Sequence, residues 1–301
     1  MGQSTIAARA MKLEVSHSTT YGYRLPVAQS HHLIHLEPRP LPRQTVVHHS
    51  LLIDPAPATR TGLIDDFGNP CVMLRIDEEH TEFGVHARST VDITEPPDVE
   101  LKSSCAWERV QEHARLSSGE LDPDVLQFTC RSRQTPITRE LVAFARPSFP
   151  PGRPVLAGAM ELTSRIFTEF KFDPAATDIS TPILRVLELK RGVCQDFAHL
   201  SIAALRSLGI PARYVSGYLL TRPPPGKEKL KGADASHAWL SVWAPETGWV
   251  DFDPTNGIMP STEHVTVAYG RDYDDVCPIS GILLGGADQR MNVAVDVEPV
   301  E

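Results

Sequence analysis

The sequence predicts an α+β protein, with an N-terminal β-sandwich domain followed by a core in which a helix packs on an antiparallel sheet. Three observations lead there. The first 95 residues alternate with period two between Pro-rich breaks, the stretch from Cys194 repeats its apolar residues at helical spacing, and two alternating runs within 237–253 are joined by a turn. These features divide the 301 residues into a β domain over 11–95, a linker over 96–154 and a core with a β tail over 155–301.

In the β domain, Lys12 to Arg24 alternates through Leu13, Val15, His17, Thr19, Tyr21 and Tyr23. Thr81 to Thr94 does so through Phe83, Val85, Ala87, Ser89, Val91 and Ile93. Between them lie His31 to Glu37, Thr45 to Ile53 and Cys71 to Ile76, with a turn at residues 65–70. Five or six such strands suit a sandwich. His31, His32, His35, His48 and His49 crowd this domain, but alternation splits them between sheet faces and no carboxylate or cysteine motif joins them, so no metal site is expected. From Glu95 to Pro154 the composition shifts to Pro, Ser, Arg and Glu, with one short helix at about Thr138 to Arg146. The core opens with an amphipathic helix through Leu156, Met160, Ile166, Phe167 and Phe170, and Thr181-Pro182 forms an N-cap and N1 pair for the next one.

Gly192 precedes Cys194 and offers backbone freedom closed to other residues. Phe197, Leu200, Ala204, Leu205 and Leu208 then fall at helical spacing, and Gly209 with Pro211 supplies the stop. Cys194 therefore stands at a helix N-terminus, where unpaired N–H groups and the helix dipole favour thiolate over thiol. After a strand at Ala212 to Leu220 and a loop at Thr221 to Ser236, the run from His237 to Ala244 alternates, with His237, Trp239, Ser241 and Trp243 on one face. Pro245 to Gly248 turns the chain, and Trp249 to Asp253 returns until Pro254 limits the ladder. Pairing Ala244 with Gly248 sets Asp253 opposite Trp239, within diagonal reach of His237, whereas a register shifted by one would offer Asp251. Alone, Cys194 reads as a buried core thiol, His237 as a half-buried strand histidine and Asp253 as turn chemistry. Together, on a helix start and two adjoining strands, they supply a nucleophile, a base and an orienting carboxylate.

Arg191-Gly192-Val193-Cys194, Ser236-His237-Ala238-Trp239 and Asp253-Pro254-Thr255 resemble the transglutaminase-like superfamily of papain-related cysteine enzymes, over roughly residues 155 to 257. The start, Leu13 to Tyr23, and the tail, Val267 to Val276, look like the bacterial group of that superfamily. The resemblance implies Cys194 as nucleophile, His237 as base and Asp253 as orienting carboxylate, acting through an acyl-thioester on a peptide or amide as a cysteine protease or amidase. Two further readings stay open: a protein-glutamine transglutaminase or other amine acyltransferase, which shares the triad, and a non-catalytic partner-binding module. The Cys194 N–H is one natural oxyanion donor. Gln195 and Trp239 are the neighbours that invite assignment as the second.

Composition bounds the partners. A formal charge of −9 and pI near 5.7 argue against a nucleic-acid binder, and no apolar run approaches a membrane span. Met1 to Ala10 reads as an extension and not a secretory leader, with Met11 a second possible start. Five widely spaced cysteines, Cys71, Cys105, Cys130, Cys194 and Cys277, do not form a disulfide framework, which suits the cytoplasm. No cofactor or metal is expected, and the partner is a peptide or protein substrate.

Overall fold

The computed structural model describes residues 10–115, 123–222, 234 and 236–300. The N-terminal extension and most of the loop from Thr221 to Ser236, with its Pro-Pro-Pro-Gly run and three lysines, lie outside them. Among the described residues no helix is long and apolar enough to cross a membrane.

The β domain contains β1 (Ala10–Ile34), β2 (Gln44–Asp54), β3 (Thr59–Ile64), β4 (Pro70–Ile76) and β5 (His80–Thr94), hydrogen-bonded in the order β2-β5-β1-β4-β3. The runs read separately as 12–24 and 31–37 are largely one strand, β1, whose register slips around Pro26 between Gly22 and Val27. A proline has no ladder donor, and the irregularity is where the strand tolerates it. β1 pairs with β5 along its first half and with β4 along its second. Val27, Ile34, Ile53, Leu74, Ile76, Phe83 and Val85 from both halves bury into one core, and all the strands belong to one hydrogen-bonded sheet where the sequence predicts a sandwich. β3 has no counterpart in the sequence reading because all six of its residues are exposed and carry no alternation.

The linker is more structured than its composition suggested. It holds α1 (Trp107–Arg115), α2 (Pro123–Leu126) and α3 (Arg139–Ala145) instead of a single helix. Trp107, Val110, Leu141, Ala145 and Phe149 bury into the same core as α4 (Val155–Glu169), each large side chain contributing roughly 1.5–3 kcal/mol by leaving water. Phe167, assigned by its spacing to the apolar face of α4, is 51% exposed and lies beside Gly257, where a Cβ would approach its ring to 2.8 Å.

The core continues through β6 (Lys171–Phe172), α5 (Ile183–Leu189), β7 (Arg191–Gly192) and α6 (Cys194–Ser207). An antiparallel sheet in the order β10-β9-β8-β11 follows, from β8 (Ala212–Leu219), β9 (Ser236–Ala244), β10 (Gly248–Phe252) and β11 (His264–Gly270). The face carrying Ala238, Leu240 and Val242 shares the buried cluster of α6 residues Leu200, Ala203 and Ala204. The tail, grouped with the core in the sequence reading, hydrogen-bonds elsewhere. β12 (Ile279–Gly285) and β13 (Gln289–Pro299) both pair antiparallel with β1 and so join the N-terminal sheet.

Candidate active site

α6 begins at Cys194 because residue 196 closes its first turn. Asp196 Oδ2 accepts from the Val193 N–H at 2.8 Å and from the Thr177 hydroxyl at 2.7 Å, which caps the helix from within its first turn. Gly192 is needed for space and not for an unusual backbone angle, since it lies in β7 with no positive φ. A Cβ there would stand 2.6 Å from Asp196 Oδ2. Cys194 is half-buried, with its thiol turned toward the first residues of β9.

The β9–β10 hairpin pairs Ala244 with Gly248 and Ser241 with Asp251, as the turn predicts. The ladder ends at Phe252, and Asp253 follows fully buried. His237 Nε2–H donates to Asp253 Oδ2 at 2.8 Å. Burial works against a charged imidazole, but hydrogen bonds to Asp253 and Cys194 outweigh it and push His237 up to about 10. Asp253 shows the converse. Burial alone would raise it, yet hydrogen bonds from His237 and His264 hold it well below the usual carboxylate range. Turn chemistry also operates: Asp253 Oδ1 accepts from the Thr255 and Asn256 N–H groups at 2.9 and 3.2 Å. The turn bonds and the bond from His237 thus meet on one carboxylate.

Asp251 serves the layer behind. It accepts from Trp239 Nε1–H at 3.2 Å and from the Ser241 hydroxyl. The Trp239 N–H is therefore engaged away from the cleft, and of the two neighbours considered as oxyanion donors only Gln195 lines it. Trp239 packs against Gly217, where a Cβ would fall 2.5 Å from its indole ring.

The sequence reading missed His264. Its Nδ1 accepts from the Ser261 N–H at 3.3 Å, so Nε2 carries the proton and donates to Asp253 Oδ2 at 3.2 Å. Only the apolar character of β11, in which every residue is buried, hinted at an inward histidine. His237, Asp253 and His264 are also the group whose ligand-type atoms, within 4.8 Å of one another, could hold a metal ion among the described residues. Each of the three already has hydrogen-bond partners here.

A cleft of about 350 Å³ opens over Cys194 and His237. One wall comes from the core through Tyr214 and Ser236. The facing wall comes from β1 and β13 through His17, Tyr21 and Met291. His17 is tied to the Tyr218 hydroxyl at 2.8 Å and to Thr19 at 3.0 Å, and burial pushes it down to about 4, so it is neutral at pH 7.

The family model described as the bacterial transglutaminase-like N-terminal region matches residues 13–92, and that of the transglutaminase-like superfamily matches residues 143–254. An uncharacterised protein of Mycobacterium tuberculosis is 40% identical over 298 residues, covering 96% of this chain and 93% of that protein. One from Mycobacterium leprae is 34% identical over 293 residues, covering 95% and 98%. The protein-glutamine gamma-glutamyltransferase of Pseudomonas aeruginosa is 31% identical over 107 residues, 33% of this chain and 16% of that enzyme. Among solved structures, a candidate cysteine protease from Cytophaga hutchinsonii has the same fold, with a TM-score of 0.74 at 24% identity over 98% of this chain and 92% of that one. With both family regions in sequence, and with relatives this similar along nearly their whole length, the chain belongs to the transglutaminase-like superfamily, in its bacterial form.

Proposed function

We propose that the protein is a thiol-dependent acyl-transfer enzyme that hydrolyses a peptide or amide bond, with Cys194 as nucleophile, His237 as acid and base, and Asp253 as the group that orients His237. The observation that carries this reading is the imidazole held between a thiol at a helix start and a buried carboxylate 2.8 Å away. With Nε2 on Asp253, Nδ1 is the nitrogen left to take the thiol proton, and the raised His237 makes the imidazole a ready acceptor for it. The Cys194 sulfur attacks the carbonyl carbon, and the oxyanion formed meets N–H groups of the first turn of α6, which have no intrahelical acceptors. His237 delivers its proton to the leaving amine as the C–N bond breaks, leaving an acyl-thioester. Water then attacks the thioester, gives a proton back to the imidazole and releases the acid.

A second reading passes the acyl group to an amine instead of water, and the likeness to a protein-glutamine gamma-glutamyltransferase is the observation that favours it. The test is labelling with a thiol-reactive amide-mimic probe, followed by turnover of glutamine-containing peptides with and without a primary amine. Labelling lost in Cys194→Ala and free acid released without amine support the hydrolase. Amine incorporation supports the transferase. Partner binding unchanged in Cys194→Ala, with no substrate turned over, leaves the protein a binding module.

A further inference from the structure

On the face of the core sheet turned away from α6, Arg213 of β8 lies between two aromatic rings. Its guanidinium carbon is 3.5 Å from the Tyr269 ring centroid and 4.3 Å from that of Trp249. Stacking uses the faces of the guanidinium and leaves the in-plane N–H groups unanswered. The Arg213 Nε is sealed from solvent and has no hydrogen-bond partner. Arg43 reaches the same place from the β domain, and its buried Nη1 is also without a partner. Arg39 also stands over the Tyr269 ring, at 4.8 Å.

These three arginines line one cavity of about 480 Å³ at the junction of the β domain and the core. A single carboxylate, Asp251, lines it with them, and both of its oxygens are already taken by Trp239 and Ser241. Arg43 approaches Asp251 only to 3.8 Å. The adjoining cavity, which Arg39 and Arg213 also line, carries Asp65, Asp66 and Asp124, and of these Asp65 accepts from Asn69 and the Phe67 N–H. Burial lowers Arg213 below its ordinary pKa, and Tyr269 and Asp251, which act against that, do not restore it. The remaining walls are apolar, from Leu41, Pro97, Val99 and Met259.

From the unpaired donors, the excess of positive charge and the apolar walls, we infer that this cavity binds a small oxyanion, a carboxylate or phosphate carrying an apolar body, with Arg213 as its fork and Arg43 as second donor. A guanidinium pinned between rings is already oriented for two parallel N–H···O bonds, so little side-chain entropy is lost when the anion arrives. Neither Cys194 nor His237 lines this cavity, so binding there stands apart from the proposed thiol chemistry.

The test titrates the full-length protein calorimetrically with benzoate, phenyl phosphate and inorganic phosphate at constant ionic strength. Saturable binding of benzoate or phenyl phosphate at one site supports the proposal, and the tighter of the two identifies the head group. Affinity should fall by about tenfold or more in Arg213→Met, less in Arg43→Gln, and not at all in Cys194→Ala. If Arg213→Met fails to fold, Arg43→Gln, whose side chain is only partly buried, carries the comparison. No saturable binding by any of the three probes, or wild-type affinity in folded Arg213→Met or in Arg43→Gln, overturns it.

Discussion

At the residue scale the structure separates two aspartates that the sequence placed two positions apart. Asp253 reaches His237, and Asp251 anchors Trp239 and Ser241 behind it. Asp253→Asn should therefore lower turnover by roughly 10²–10⁴-fold, because the amide cannot hold the imidazole tautomer and leaves a charged imidazolium without its counter-charge. Asp251→Asn should leave turnover within a few-fold while costing about 1 kcal/mol of stability. Steady-state kinetics and urea unfolding on the two variants separate the effects, and equal kinetic losses would sink the assignment. The thiols divide similarly. Burial raises the Cys71 thiol and pushes Cys105 up to about 11, whereas Cys194 sits in the cleft beside His237, so iodoacetamide at neutral pH should modify Cys194 first. Peptide mapping after brief exposure checks this.

The same residues set a pH dependence. His237 is raised from 6.5 to about 10, so its contribution to stability is complete below about pH 6.5 and is lost as pH climbs through about 10. Asp253 is lowered, so its contribution is present above the ordinary carboxyl range and fades as acid protonates it. The gap in thermal midpoint between wild type and His237→Ala should be widest between those limits and close toward both. Activity should follow a bell-shaped pH profile whose limbs belong to the Cys194–His237 pair and not to either residue alone. A gap that widened above pH 10 would contradict the ion pair.

At the element scale, the start of α6 depends on a contact between two side chains of very different size. Asp196 folds back over Gly192 to reach the Val193 N–H, so Gly192→Ala must move either the carboxylate or the strand. A loss of about 1–3 kcal/mol is expected, with displaced Cys194 and turnover falling along with it, whereas Cys194→Ala should leave the thermal midpoint nearly unchanged. Chemical denaturation of the two variants provides the comparison. The hairpin was legible because period-two alternation and a four-residue turn leave one register that buries Leu240 and Val242. The rotation of α4 was not, since Phe167 has an apolar residue's spacing but a surface position.

At the scale of the whole molecule, the cleft belongs to neither family region alone. β1 and β13 supply a wall facing Cys194, and the chain must return to the N-terminal sheet before that wall exists. Met291 stands on this wall, 61% exposed, so Met291→Glu should not disturb folding. It should raise KM for an apolar peptide substrate severalfold, with kcat nearly kept, because the change alters binding without touching the reacting groups. An unchanged KM would mean that substrate does not reach the β-domain wall.

The placement of Cys194 at a helix start and of His237 and Asp253 on one hairpin was legible in the sequence because each follows from local pattern: helical spacing after residue 194, strand alternation after 237, and a turn length that sets the hairpin register. Three of the four strands of the antiparallel core sheet followed from the same short-range periodicities, while β11 had no counterpart in the sequence reading. His264, the pairing of the tail with β1 and the arginines gathered around Tyr269 were decided only by tertiary structure. They join residues that are far apart in sequence, and no local periodicity records which distant strand edge or unpaired donor a segment will meet once apolar burial brings the chain together.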